Sequence, residues 1–403
     1  MTVRVNKPAI NVREELADLR KPTGIAGEAM LRAETPQEQF NLIGAGRRNL
    51  IINGAMQVAQ RGTSASYGVG DNGYKTVDRW RFNVSGNVDQ FVATASQDTD
   101  APAGFSNSVK TLVTTAETGI GGGDERTSIE TRIEAQDLQM LNYGSSDAQD
   151  MTLSFWVKSN VTGKFSVNFR AHDQDDAYNT PYFINSADTW EYKTVYIKGN
   201  TLSGSIANDN GIGIWVRFML FVSADQRNDS FTNNWVASSA ASYGPTDMQS
   251  EWGLTVNDYF QITGVQLELG KVATPFEHRS YGEELALCQR YYYRLSGDAG
   301  DDRTIGVGFA SATNDADIYV QYPVELRDIP STTVGTDIDE ASFKITTAAA
   351  GTNSSLNSIL DPTRQSVRLR FRADSGTPFT AGEGCMGRLD NLSSAYIEFD
   401  AEL

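Results

Sequence analysis

The feature that most constrains this chain is a two-residue alternation of apolar and polar side chains that recurs along its middle part. It fills "DRWRFNV", "MTLSFWVKS", "KFSVNFRAH" and "GIGIWVRFMLFV", and it returns in "DYFQITGVQLEL". Successive side chains of a β-strand point to opposite faces, so each segment predicts a strand with one buried face. Gly-, Asn- and Asp-rich loops between them are typical of antiparallel sheets. We therefore predict a mainly β protein with a large jelly-roll β-sandwich over residues 48–279.

The same alternation returns near the C-terminus. The segments "DDRTIGVGFASA", "DADIYVQYPVEL", "QSVRLRFRAD" and "SAYIEFDAEL" again place apolar residues at every second position. We predict a smaller C-terminal β-sandwich over residues 297–403. The sequence shows no repeat of 20 to 50 residues that would indicate a propeller or a solenoid.

Residues 1–47 have a different pattern, with two short capped helices and no strand signal. "NVREEL" and "TPQEQF" each match a capping box, in which a side chain caps the helix and an acid follows three residues later. Helices this short need a partner surface for their apolar residues. These residues either pack on the rest of the chain or form a docking arm for another protein, and we predict the arm. The apolar residues are Leu16, Leu19, Phe40, Leu42 and Ile43.

One stretch, "EHRSYGEELALCQRYYYRLSG", contains a histidine, a cysteine and a pair of glutamates, so it is a possible catalytic cluster. The alternative is a capped helix, because Ser280 and Glu283 form a capping box. We predict a linker helix over residues 280–296 with one apolar seam at heptad spacing. The seam would pack on the neighbouring domain or on copies of itself about a threefold axis. Its residues are Tyr281, Leu285, Cys288, Tyr292 and Leu295.

Composition argues against several classes of function. The formal net charge of −17 disfavours nucleic-acid binding, because an acidic surface repels phosphates. The two cysteines, Cys288 and Cys385, are too few for a disulfide scaffold or a zinc site. The first residues do not resemble a signal peptide, and no stretch approaches the ~20 apolar residues of a membrane span. We expect a protein that is not an enzyme and has no catalytic residues, no cofactor and no membrane insertion.

The strand pattern also predicts where a ligand would bind. Side chains opposite the apolar sets are Trp156 in one strand, Trp215 and Arg217 in a second, and Asn168 and Arg170 in a third. Aromatic faces suit the C–H faces of sugars, and Arg and Asn suit hydroxyl groups. These five residues are therefore candidate glycan-binding residues. The alternatives are that a loop, the N-terminal arm or a neighbouring subunit covers this face, or that loops such as "TAAAGTNSSLNS" make the contact.

Several phrases resemble a known family. "RRNLIINGAMQVAQRGTS", "DRW" and "MTLSFWVKS" resemble the carbohydrate-binding-type jelly rolls of bacteriophage tail proteins. "ITGVQLELGKVATPFEHRSYGEELALCQRYYYR" resembles their closing strand and the helix that follows. "IYVQYPVELRDIPS" resembles the C-terminal domain of phage fibres, and "NKPAINVREELADLRKPTG" resembles the virion-anchoring end of fibres of marine-type tailed phages.

The resemblance implies a homotrimeric tail or neck fibre that is assembled in the host cytoplasm and becomes part of the virion. The N-terminal arm would bind tail or neck proteins, and the distal β domains would bind a host-surface glycan. Two alternatives are a collar or neck decoration protein without a receptor and a polysaccharide-degrading tailspike. Related sugar-binding jelly rolls often hold a structural calcium, but Gln57, Thr263 and Gly264 stand where its acidic ligands would be. We therefore predict no metal at that position.

Overall fold

A computed structural model describes most of the chain after residue 47. The described ranges are 48–86, 88–118, 123–239, 242–249, 251–296, 303–334, 343–348, 351–389 and 396–403. The predicted anchoring arm, residues 1–47, lies outside them. Its five apolar residues, Leu16, Leu19, Phe40, Leu42 and Ile43, therefore stay a prediction.

The first unit is a β-sandwich of two antiparallel sheets, as the alternation predicted. Its strands are β1 (Ser64–Gly68), β2 (Gly73–Tyr74), β3 (Arg81–Ser85), β4 (Val92–Asp98), β5 (Ser108–Thr115), β6 (Arg126–Glu134), β7 (Met151–Ser159), β8 (Gly163–Ala171), β9 (Asp176–Ile184), β10 (Glu191–Ile197), β11 (Ile212–Val222), β12 (Val236–Ala237) and β13 (Tyr259–Leu269). Short 3-10 helices span Ala135–Leu141, Ala224–Gln226 and Asp229–Phe231. The six-stranded sheet has the order β1-β4-β5-β13-β7-β10, and the seven-stranded sheet has the order β12-β9-β8-β11-β6-β3-β2.

The inner faces of both sheets form one apolar core. Phe155 of the first sheet contacts Phe218 of the second edge to face, with ring centroids 5.0 Å apart. Trp80 lies 6.1 Å from the same Phe218 ring and is fully buried. Burial of each such side chain stabilises the fold by about 1.5–3 kcal/mol. Because alternate side chains of a strand point to opposite faces, the residues between these core positions point away from the core.

The second unit is built from β14 to β22 and corrects one expectation. Its strands are β14 (Tyr292–Ser296), β15 (Arg303–Ala310), β16 (Asp315–Gln321), β17 (Ser331–Val334), β18 (Phe343–Thr346), β19 (Gly351–Leu360), β20 (Ser366–Ala373), β21 (Gly384–Leu389) and β22 (Tyr396–Asp400). The sequence predicted a smaller sandwich, but six of these strands form a closed barrel in the order β15-β16-β20-β19-β18-β21. The barrel closes because β21 pairs with both β15 and β18. β14, β22 and β17 form a separate three-stranded sheet.

The helix between the units is shorter than predicted. α1 spans Tyr281–Gln289, and the Ser280 hydroxyl caps it by accepting a hydrogen bond from the Glu283 N–H at 3.3 Å. The chain then enters β14, where Tyr292 pairs with Asp400. Aromatic and β-branched residues favour strands, and β22 offers a pairing edge, so the helix does not continue through the tyrosines.

The predicted heptad seam is consequently wrong. Tyr281 is 58% exposed, and Leu285 is only partly buried. Cys288 is buried on the helix, whereas Tyr292 and Leu295 are buried on β14. Leu295 belongs to the core of the second unit. The five residues therefore lie on two elements and do not form a single stripe.

The stretch that resembled a catalytic cluster is the junction between the two units. The Arg61 guanidinium lies 3.5 Å from the centre of the Tyr292 ring, and the Arg79 guanidinium lies 3.5 Å from that of Tyr291. Arg79 also pairs with Glu402. Cation–π contacts that are removed from water contribute about 2 kcal/mol each. His278 packs against Phe276, with ring centroids 4.9 Å apart, so the histidine is part of an aromatic cluster.

Candidate ligand-binding groove

A groove of about 270 Å³ lies on the outer face of the seven-stranded sheet. Side chains from β3, β6, β8 and β11 line it, together with Tyr243 from the loop after β12. The strands direct these side chains outward because their neighbours in sequence, such as Phe82, Ile129 and Val216, are buried in the core. The lining includes Arg81, Asn83, Glu130, Arg132, Trp215 and Arg217.

Strand register brings these residues together. Trp215 on β11 lies opposite Arg132 on β6 and Arg170 on β8. Arg217 lies opposite Glu130 in β6, and Glu130 in turn lies opposite Arg81 in β3. Side chains directly opposite each other in antiparallel strands have Cβ atoms about 4.5–5.5 Å apart. The result is a grid of charged groups on rigid strands.

Glu130 is the central acceptor of this grid. Its carboxylate is 2.7 Å from Arg81, 3.2 Å from Arg132 and 3.3 Å from Arg217. Burial raises the pKa of Glu130, but the charges of Arg217, Arg81 and Arg132 outweigh that effect and hold its pKa below the usual range. Glu130 is therefore ionised at neutral pH, and one negative charge meets three positive ones.

Arg217 is the most deeply buried of the three arginines around Glu130. It is 5% exposed, and its Nη1 donates to the Asn168 Oδ1 at 3.2 Å. The pKa of Arg217 is lowered to about 10, chiefly by burial; Glu130 raises this pKa, and Arg170 and Arg132 lower it. The positive charge of Arg217 is thus less stable here than in water.

Trp215 is a platform for these guanidinium groups. The Arg217 guanidinium carbon lies 3.8 Å from the indole centre, and the Arg132 carbon lies 4.5 Å from it. The His172 ring stacks on the same indole, with centroids 5.7 Å apart and an angle of 10° between the rings. The indole face is therefore occupied, and a ligand would meet mainly the arginine edges.

Part of the outer face is covered, as one of the sequence alternatives proposed. The Ser242 carbonyl, which lies after β12, accepts a 2.9 Å hydrogen bond from the side-chain amide of Asn168. The same amide donates to the Asn179 Oδ1 at 2.8 Å. Tyr243 packs beside Arg126, whose guanidinium carbon lies 4.3 Å from the ring centre. Asn168 is 1% exposed. Its hydrogen-bonding groups are already used, so its predicted role is limited to holding Arg217.

The structure separates the predicted glycan-binding residues into two groups. Trp215, Arg217, Arg170 and Asn168 share the face of the seven-stranded sheet, and all but Asn168 line the groove. Trp156 lies on β7 of the other sheet, where its ring is 5.3 Å from that of Tyr192. The two tryptophans are therefore on opposite outer faces of the sandwich.

Sequence reasoning missed Arg81, Glu130 and Arg132 as members of the site. A signal was present in "RTSIETRIE", where polar residues alternate with Ile129 and Ile133 in the same way as in the other strands. What the sequence does not reveal is the strand order, because β3, β6, β11 and β8 are neighbours only through long-range pairing.

The acidic loop before β9 uses its carboxylates within the protein. Asp173 accepts from the Ala207 N–H at 2.8 Å, Asp175 pairs with Arg170 at 2.5 Å, and Asp176 accepts from Asn200 at 2.8 Å. In the described ranges, no three His, Cys, Asp or Glu side chains are grouped as metal ligands. The helices described there also include none with the length and apolar character of a membrane span.

Comparison with known proteins gives no family assignment. No family model matches the chain, and no curated protein matches it. A tailspike enzymatic domain of bacteriophage CBA120 aligns at a TM-score of 0.30 and 15% identity, covering 55% of this chain and 21% of that one. A putative sugar-binding protein of Bacteroides thetaiotaomicron aligns at 0.30 and 13%, covering 55% and 100%. A family 4 carbohydrate-binding module aligns at 0.27 and 11%, covering 54% and 98%.

These likenesses are too low to support an argument about function. The chain spans about a fifth of the length of the tailspike domain that it matches. The groove must therefore be interpreted from its own residues.

Proposed function

We propose that the protein binds carbohydrate non-covalently through the groove on the seven-stranded sheet. The observation that supports this most is the lining, in which planar hydrogen-bonding groups of Arg81, Asn83 and Glu130 line one groove. Fixed planar donors and acceptors match the hydroxyl groups of sugars. Strands hold such groups more precisely than loops do.

We further propose, from the resemblance in sequence, that the chain is a homotrimeric fibre of a tailed-phage virion. The N-terminal arm would attach it to tail or neck proteins, and the β units would face the host. The competing proposals are a decoration protein without a receptor and a tailspike that cleaves polysaccharide. Light scattering of the full chain should give three times the 44.0 kDa chain mass, and imaging of virions would locate it.

The glycan proposal can be tested with two variants that each gain the same side chain. Asn83→Trp would fill the groove, whereas Thr194→Trp would add a tryptophan at an exposed position of β10, an edge strand of the other sheet that pairs with β7. On a glycan array, we expect the full chain to bind, Asn83→Trp to lose at least about tenfold in affinity, which is ~1.4 kcal/mol, and Thr194→Trp to bind normally.

Normal binding by Asn83→Trp with a loss in Thr194→Trp would indicate that the glycan binds on the face of Trp156. Failure of the full chain to bind any glycan would overturn the proposal. Release of new reducing ends from a bound polysaccharide would instead favour the tailspike alternative.

A further inference from the structure

The groove has an excess of positive charge. Its lining contains five arginines and one glutamate, in a chain whose net charge is −17. Arg170 has a carboxylate partner outside the lining, Asp175, at 2.5 Å. Positive groups still outnumber these two carboxylates by three. The five arginines are Arg81, Arg126, Arg132, Arg170 and Arg217.

The groove also has an excess of hydrogen-bond donors. Within the described part of the chain, three buried nitrogens of lining residues have no acceptor: Nε of Arg132, Nε of Arg170 and Nε1 of Trp215. A buried donor without a partner costs about 1–3 kcal/mol. Arg132 also donates through its terminal nitrogens to Glu130 and to the Leu403 carbonyl. The lining nevertheless has more donors than acceptors, and a carboxylate supplies both negative charge and acceptor oxygens.

We propose that the saccharide recognised by the groove is acidic, and that the guanidinium groups of Arg81 and Arg132 receive a sugar carboxylate. This inference rests on the proposed glycan binding and specifies its ligand class. Guanidinium groups match carboxylates in geometry, and such charge-assisted hydrogen bonds are about twice as strong as neutral ones. A neutral sugar would leave the excess of positive charge in the groove uncompensated.

Arg81 is the best position for a test because its loss disturbs little else. Its side chain is 21% exposed, and its Nη1 donates to Glu130 and Asn83. Glu130 would keep Arg132 and Arg217 as partners in Arg81→Gln. Arg372→Gln is the matched control, because Arg372 is a 52% exposed arginine that pairs with Asp315 on the barrel.

The experiment measures binding of the full chain by calorimetry to oligomers of galacturonate, mannuronate, glucuronate-containing hyaluronan and sialic acid. Each acid is compared with its methyl ester, which has no charge and is larger by one methyl group. We expect at least one acid to bind about tenfold or more tightly than its ester. Arg81→Gln should remove most of that difference, and Arg372→Gln should leave it unchanged.

Each other outcome counts against the inference in a recognisable way. Equal binding of acid and ester, or binding only of neutral glycans, would overturn the acidic ligand and leave glycan binding intact. Equal losses in Arg81→Gln and Arg372→Gln, or equal binding of polyglutamate, would indicate unspecific attraction of polyanions. Failure to bind any acidic or neutral glycan would overturn both proposals.

Discussion

Asn53 is a residue whose side chain organises a whole turn. It is fully buried in a left-handed conformation with φ of 58°. Its Nδ2 donates to the carbonyls of Val58 and Asp78, and its Oδ1 accepts from the N–H groups of Gln57 and Val58. The next residue must be small, since a Cβ on Gly54 would lie 2.1 Å from the Val265 carbonyl oxygen. The "NGAMQ" phrase is therefore a structural turn.

We predict that Asn53→Ala lowers the free energy of unfolding by about 3 kcal/mol or more, because several buried backbone groups lose their partners. Asn142→Ala is the control, since Asn142 is exposed and also left-handed, with φ of 50°. The control should cost only the conformational penalty of about 1–2 kcal/mol. Denaturant unfolding measures both, and equal losses would contradict the role of the Asn53 side chain.

Asp78 makes the junction sensitive to pH. Burial raises the pKa of Asp78 to about 6 from an ordinary 3.8, and Arg61 offsets only part of this effect. Arg61 stays charged because Glu402 and Asp400 also hold it. Between pH 3.8 and 6 the native state thus binds a proton that the unfolded chain has released.

The contribution of Asp78 to stability therefore falls as pH rises through this window. We predict that the unfolding free energy of the wild type minus that of Asp78→Asn falls by up to about 3 kcal/mol from pH 4 to pH 7, because Asn does not titrate. Denaturant titrations of both proteins at several pH values measure this difference. A constant or rising difference would show that Asp78 is not protonated in the native state near pH 5.

At the scale of elements, the chain from α1 to β14 shows that local sequence patterns predict where a helix begins but not where it ends. The capping box correctly predicted the start of the helix, because capping is a local interaction of Ser280 with Glu283. The end of the helix depends on β22, which lies about a hundred residues later and pairs with β14. Short-range periodicity cannot contain that information, so the heptad spacing of Tyr292 and Leu295 was misleading.

The tyrosines of β14 hold the two units together. Tyr292 is 1% exposed, and its hydroxyl donates a hydrogen bond to Glu398 at 2.6 Å. The Arg61 guanidinium from the first unit stacks on the Tyr292 ring. We predict that Tyr292→Ala costs about 3–5 kcal/mol, as for other buried aromatic residues, and exposes the 281–296 region to limited proteolysis.

Tyr281→Ala is the matched control, because Tyr281 is 58% exposed on the adjoining helix. It should leave both the unfolding midpoint and the proteolytic pattern nearly unchanged. A large effect of Tyr281→Ala with little effect of Tyr292→Ala would contradict this role of Tyr292 and support the helical seam instead.

At the scale of the whole molecule, the mainly β architecture followed directly from the alternation, because strand faces are a local property of sequence. The closure of the second unit into a barrel did not, since a sandwich and a barrel share the same alternation and differ in which edges pair. The groove, like the barrel, depends on long-range strand pairing that the sequence does not reveal. Each of its strands is readable in the sequence, but its charge excess exists only once β3, β6, β11 and β8 lie side by side.

The most direct test of the central claim is a crystal structure of the full chain with a bound oligosaccharide, chosen from the tightest ligand on the glycan array. We expect the sugar in the groove, within hydrogen-bond distance of Arg81 and Arg132 and next to Trp215. A sugar bound beside Trp156 on the opposite face, or on the barrel, with the groove empty, would contradict this account.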